Sequence, residues 1–267
     1  MKDFEEKLLK RWLKRKVKIT LATIVAFLIS SSLSLAETLY IRGDGENGVE
    51  FSIDNQNWGE NPYSENSFEN NIYTNNRKIE SDYIGIYNKA SDISLINENE
   101  IIVNAEKGWG IYNSGTIEVL KNSGLLEVNS DDQSVGISNY GINKGKILNQ
   151  GTIKVTSSNG NVWGIDNGKN VEIIENDGLL EVNGTSDATG IGNYNAKVED
   201  IINTGRIKIN GNYVFGGIIN NGETTNIINS GIIETIGQER TTGINNDIDG
   251  KAINIINSGQ INLFSNE

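Results

Sequence analysis

Arg42-Gly43-Asp44 is the first group of residues in this chain whose types and order match a recognition chemistry, the tripeptide that integrins read. It stands beside turn-forming Gly45 and Asn47, and a chain rich in Gly and Asp produces such a tripeptide readily by chance. Hydrolytic acid/base work needs two carboxylates on one face. Asp166 follows a Gly-Ile pair, but the equivalent positions of the other repeats are Tyr87, Tyr112, Ser138, Gly192, Ile219 and Asn245, so no second carboxylate stacks on it. Asp131, Asp132 and Asp187 fall in corresponding connections without a basic residue in their own loops. With no histidine and no cysteine, a Ser-His-Asp triad, thiol catalysis, a disulfide framework and thiolate metal sites are excluded. The acidic runs Asp44–Gly48, Asp54–Asn57 and Asp247–Asp249 lack the oxygen spacing of a calcium loop and read as solvated turns. We therefore expect no enzyme, no catalytic residue, no cofactor and no metal. A polysaccharide-degrading enzyme is the alternative, because long β-structures can host carboxylate clusters.

Aromatic residues offer a different chemistry. Tyr87 and Tyr112 occupy equal positions in successive repeats, and Trp109 and Trp163 immediately precede Gly-Ile pairs. Such a strip can contact a carbohydrate or a protein, or simply pack between neighbouring strands, which is the reading we prefer.

Two recurring marks set the elements that must carry these residues. Gly-Ile-x-Asn places Asn88, Asn113, Asn139, Asn167, Asn193, Asn220 and Asn246 in equal positions. Asn-x-Gly-x-(Ile/Leu) starts at Asn122, Asn149, Asn176, Asn203, Asn229 and Asn257, and Asn97-Glu98-Asn99 is a variant with Asn99 in place of Gly. Copies recur about every 26 residues, a coil-type period. Around the second mark apolar residues alternate, as in Ile147, Ile153 and Val155, which makes half-buried strands. One such set cannot close a core, so coils must stack, with Ile, Leu and Val ladders inside and two Asn ladders at the corners. The Gly two residues after the second Asn is expected to allow the bend. Length varies mainly over 156–162 and after Asn246, the candidate surface loops. A left-handed hexapeptide helix has about eighteen residues per coil and leucine-rich repeats need a Leu consensus, so the pattern predicts an all-β, right-handed parallel β-helix of about seven coils over 81–267. Residues 37–80 lack the marks and are expected to cap the stack or lead into it.

None of the 40 asparagines falls before Asn47, whereas the first 18 residues hold a net charge of +5. The chain as a whole carries −12, so the remainder carries −17, which argues against a nucleic-acid partner. The basic stretch runs into the apolar segment 19–29 and then Ser34-Leu35-Ala36, the layout of a secretory signal helix cleaved between Ala36 and Glu37. An uncleaved anchor is the alternative, diluted by Ser30, Ser31, Ser32 and Ser34. The segment Leu9-Lys-Arg-Trp-Leu-Lys-Arg-Lys-Val-Lys-Ile-Thr20, continued by Val25–Ile29, resembles the extended signal of type V secretion (autotransporter) proteins of the adhesin type. That resemblance implies export through the Sec translocon and signal peptidase, then transfer to the surface through a C-terminal barrel, with a β-helix as passenger. No barrel-like run occurs before Glu267, so a fragment, or a barrel supplied elsewhere, is expected. The resulting expectation is an exported adhesin or structural stalk with an unidentified host or bacterial surface ligand. Without a barrel the location would be periplasmic, and a nonfunctional remnant of a longer adhesin gene is the further alternative.

Overall fold

The computed structural model describes residues 36–44 and 48–265. The helix expected in the signal segment lies outside the described residues. Every regular element among them is a strand, and the strands join in one sheet that winds into a parallel β-solenoid of about 7 turns.

Each coil contributes one strand to each of three rows. The first row holds the Gly-Ile-x-Asn mark, as in Gly108–Asn113, Ser134–Asn139 and Val162–Asn167, paired in parallel through Ile111↔Ile137 and Ile137↔Ile165. The second row ends on the second Asn, as in Thr116–Asn122, Ile142–Asn149 and Val171–Asn176. The third row follows it, as in Leu125–Ser130, Thr152–Ser157 and Leu179–Gly184, with Val128↔Val155↔Val182 in register. Strands lead straight from one row into another where coils are tight, so Asp187–Asn203 and Arg206–Asn229 serve two or three rows each.

The register stacks like on like. Leu120, Ile147, Ile174, Ile201 and Ile227 form one interior column, and Leu126, Ile153, Leu180, Ile207 and Ile233 another, all fully buried. Each such side chain contributes about 1.5–3 kcal/mol by leaving water, so the repeated columns dominate the stability. The glycine before each Ile is also interior. A Cβ on Gly110 would strike the Leu126 side chain and the Gly136 carbonyl oxygen, so this position must stay bare for the first and third rows to meet.

The second glycine column has a different cause from the one its sequence suggests. None of Gly124, Gly151, Gly178, Gly205 or Gly231 has a positive φ; among the described glycines only Gly43 and Gly48 do. A Cβ at Gly151 would collide with the Gly124 carbonyl oxygen of the coil before it, and the same holds up the column. Close approach between coils, not a left-handed bend, selects glycine there.

Residues 37–80 lack the repeat marks yet give one strand to each row. Leu39–Asp44 pairs with Ile84–Asn88, Ile72–Asn75 with Ile93–Asn97, and Ile79–Ser81 with Glu100–Ala105, all in parallel. Antiparallel strands then cover the outer edges, Gly48–Ser52 on Leu39–Asp44 and Ser67–Glu69 on Ile72–Asn75. Phe51 packs 5.4 Å from Tyr73 and 5.7 Å from Phe68, over the end of the interior columns. In the last coil, by contrast, Ile255 and Leu263 are half exposed although their counterparts in earlier coils are interior.

Candidate functional site

The two asparagine columns form unbroken amide ladders. In the first, Asn88 Nδ2 donates to Asn113 Oδ1 at 2.8 Å, and the chain of bonds runs on through Asn139, Asn167, Asn193 and Asn220 to Asn246 at 2.8–3.0 Å. The second starts one coil earlier than its sequence mark, at Asn75, and passes through Asn97, Asn122, Asn149, Asn176, Asn203 and Asn229 to Asn257 at 2.7–2.9 Å. Every bond donates toward the C-terminal coil, so each ladder is a polar chain whose members polarise one another. The other amide hydrogen turns inward to local backbone, as from Asn97 to the Asn99 carbonyl at 3.0 Å. From Asn75 to Asn229 these side chains are fully buried and structural.

Chemistry available to a ligand sits instead on the outer side of the first row. Pairing places Tyr40, Tyr87, Tyr112, Ser138, Asp166, Gly192, Ile219 and Asn245 in one column. The Tyr87 and Tyr112 rings meet edge to face at 5.1 Å, Tyr40 lies 5.8 Å from Tyr87, and Lys89 Nζ sits 4.6 Å above the Tyr87 ring. Tyr140, at the corner after Asn139, stacks on Tyr112 with centroids 6.2 Å apart. Together these rings form a continuous aromatic strip across successive coils. Trp109 and Trp163 do not join each other, because Val135 stands between them; Trp109 packs on Tyr83 at 5.3 Å, and Trp163 Nε1 donates to the Tyr194 hydroxyl at 3.2 Å.

Asp166 ends the strip. Its carboxylate accepts the Tyr140 hydroxyl at 2.9 Å and is otherwise enclosed, with 7% of the residue exposed. Burial pushes its pKa up to about 6, partly offset by that hydrogen bond. The Tyr140 phenol is raised in turn, first by burial and then by the neighbouring carboxylate, and Tyr112 and Tyr194 are raised mainly by burial.

The other sequence candidates are dispersed. Arg42 is held by Glu50, Nε to Oε2 at 2.8 Å, and its guanidinium lies 4.0 Å over Trp58; Gly43 and Asp44 continue the same hairpin strand, paired with Val49 and Gly48. An integrin-type carboxylate exchange would have to displace Glu50. Asp54 caps its own turn, accepting from the backbone of Gln56 and Asn57 at 2.8 Å each, which holds its carboxyl well below the usual range. Asp247 accepts from the Ile248 backbone at 2.9 Å. Asp132 does find a cation, Lys107 Nζ at 3.0 Å, contributed by the preceding coil. Ala36 and Glu37 lie at the start of the described residues, where the Glu37 backbone N–H donates to the Glu80 carbonyl at 2.7 Å.

Tyr40, Tyr140 and Tyr194 were not singled out by the sequence pattern. Tyr140 and Tyr194 each directly follow the Asn of the first mark, a signal legible in hindsight, while Tyr40 lies where the mark is absent. Comparison with protein-family models, with curated proteins and with solved structures finds no match to the chain.

Proposed function

We propose that this chain is the passenger part of an exported, autotransporter-type surface protein, a stalk whose first-row outer face makes adhesive contacts. The observation that carries this reading is the aromatic strip Tyr40, Tyr87, Tyr112 and Tyr140, held across successive coils by the solenoid register. Aromatic side chains with one face toward solvent are common anchors in recognition surfaces. Residues 1–36 have the layout of an extended signal, which supports export. The Sec translocon and signal peptidase are the partners this route requires, and the adhesive ligand is a host or bacterial surface molecule.

Mass spectrometry of the chain's N-terminus, combined with protease added to intact cells that express it, tests the proposal. A chain starting at Glu37 and cut from outside is the expected result. A chain that retains Met1 and stays protected in the cytosolic fraction would refute it.

A further inference from the structure

Asp166 is the one Asp, Glu, Lys or Arg side chain among the buried residues described, and no Lys or Arg among the described residues pairs with it. A buried carboxylate without a cation is costly, and such groups ordinarily pair or lose their charge. The neighbourhood is built around it. Ser138, matched to Asp166 in register, is 1% exposed, and its Oγ has no hydrogen-bond partner. Gly192, matched on the other side, leaves space that the Tyr194 ring fills, and the Tyr140 ring lies over Gly168 in the same way. Tyr112 and Tyr140 stack beside the carboxylate, and Trp163 holds Tyr194 through its hydroxyl.

From this arrangement we infer that Asp166, Ser138 and the collar of Tyr112, Tyr140 and Tyr194 form a binding site for a primary alkylammonium group. The carboxylate and the unpaired Ser138 hydroxyl accept N–H bonds, and tyrosine faces stabilise the charge, an attraction that strengthens when water is excluded. Tyr140 is 45% exposed and contributes the hydroxyl that now closes on Asp166, so its ring is the side chain that turns aside to admit a ligand. The acidic chain as a whole favours approach of a cation. This inference shares Tyr112 and Tyr140 with the adhesive strip but does not depend on surface display.

The test is an NMR titration of the purified protein with n-butylammonium chloride at fixed ionic strength, following the ring signals of Tyr112 and Tyr140. The neutral isostere n-butanol and sodium chloride serve as controls. Saturable ring shifts with butylammonium at pH 7.5, absent with either control, are expected. Binding should weaken about tenfold or more at pH 4.5, where the Asp166 carboxyl takes up its proton, and likewise in Asp166→Asn. Blocked lysine then identifies the source of the group: a response equal to butylammonium points to the lysine of a partner polypeptide, and none points to a free amine. No saturable shift at pH 7.5, or shifts equally strong with n-butanol or at pH 4.5, would overturn the inference. The pH comparison uses the unaltered protein, so it decides the matter even if Asp166→Asn fails to fold.

Discussion

Asp166 and Asn149 are both polar and both removed from water, yet their energetics run in opposite directions. Asn149 accepts from Asn122 at 2.9 Å and donates to Asn176 at 2.8 Å and to the Leu179 carbonyl at 3.2 Å, so its burial is compensated. Asn149→Ala strands a donor below and an acceptor above, and should cost about 2–4 kcal/mol in denaturant unfolding. Asp166 has a single hydrogen-bond partner for a full charge. Because its folded-state pKa of about 6 lies above the value near 4 of an unfolded chain, the native state binds the proton more tightly. Its penalty is therefore absent below about pH 4, develops between about 4 and 6, and is complete above, on the order of 3 kcal/mol. Asp166→Asn should accordingly stabilise the protein at pH 7.5 by about 1–3 kcal/mol and lose that advantage at pH 4, read from melts at the two pH values. Thr235 gives a third case. It replaces the aliphatic residue of its column between Ile209 and Leu263, is fully buried, and leaves its hydroxyl without a partner. Thr235→Val should raise stability by about 1 kcal/mol in the same unfolding assay.

At the level of strands, the outer side of the third row alternates in charge. Glu127, Lys154, Glu181, Lys208 and Glu234 are successive partners in register, with Lys154 Nζ 3.3 Å from Glu127 and Lys208 Nζ 3.1 Å from Glu181. Lys208→Glu would set three carboxylates in a row. Partial exposure and screening limit the loss to about 1 kcal/mol, and the loss should shrink in 0.5 M salt, as thermal melts at two salt concentrations would reveal. This alternation is written in the sequence once the period is known, as are the interior columns and both asparagine ladders, because a strand exposes a strict two-residue alternation and a coil repeats it. What the sequence concealed depends on contacts that no spacing encodes. Leu39-Tyr40-Ile41 joins the first row without a Gly-Ile mark, since pairing requires only an extended strand with apolar residues facing in. The role of Gly151 was legible as a need for glycine, but its cause, a carbonyl oxygen from the coil before, emerges only when coils stack. Asp166 read as an isolated carboxylate. Its enclosure comes from Tyr140 and Tyr194, which reach it across corners from neighbouring coils.

Across the whole solenoid, one regular stacking produces every feature described above: the buried columns, the polar ladders, the aromatic strip and the collar around Asp166. The two ends differ. Antiparallel strands and the Phe51, Phe68 and Tyr73 rings cover the first coil, whereas the strands Lys251–Asn257 and Gln260–Ser265 leave apolar side chains half exposed. Between those ends, in-register pairing is what assembles the outer face from residues about 26 positions apart, so a shift of one residue would turn Tyr112 and Asp166 inward and scatter the strip. A chain without cysteine permits a direct test by paired substitution and oxidation. Lys154 and Glu181 are partners on adjacent strands, while Lys154 and Lys208 lie two strands apart, beyond the roughly 7 Å Cα separation that a disulfide can span. The double variant K154C/E181C should cross-link rapidly and K154C/K208C should remain reduced. Cross-linking of K154C/K208C with none in K154C/E181C would contradict the register, and with it the solenoid on which the binding face depends.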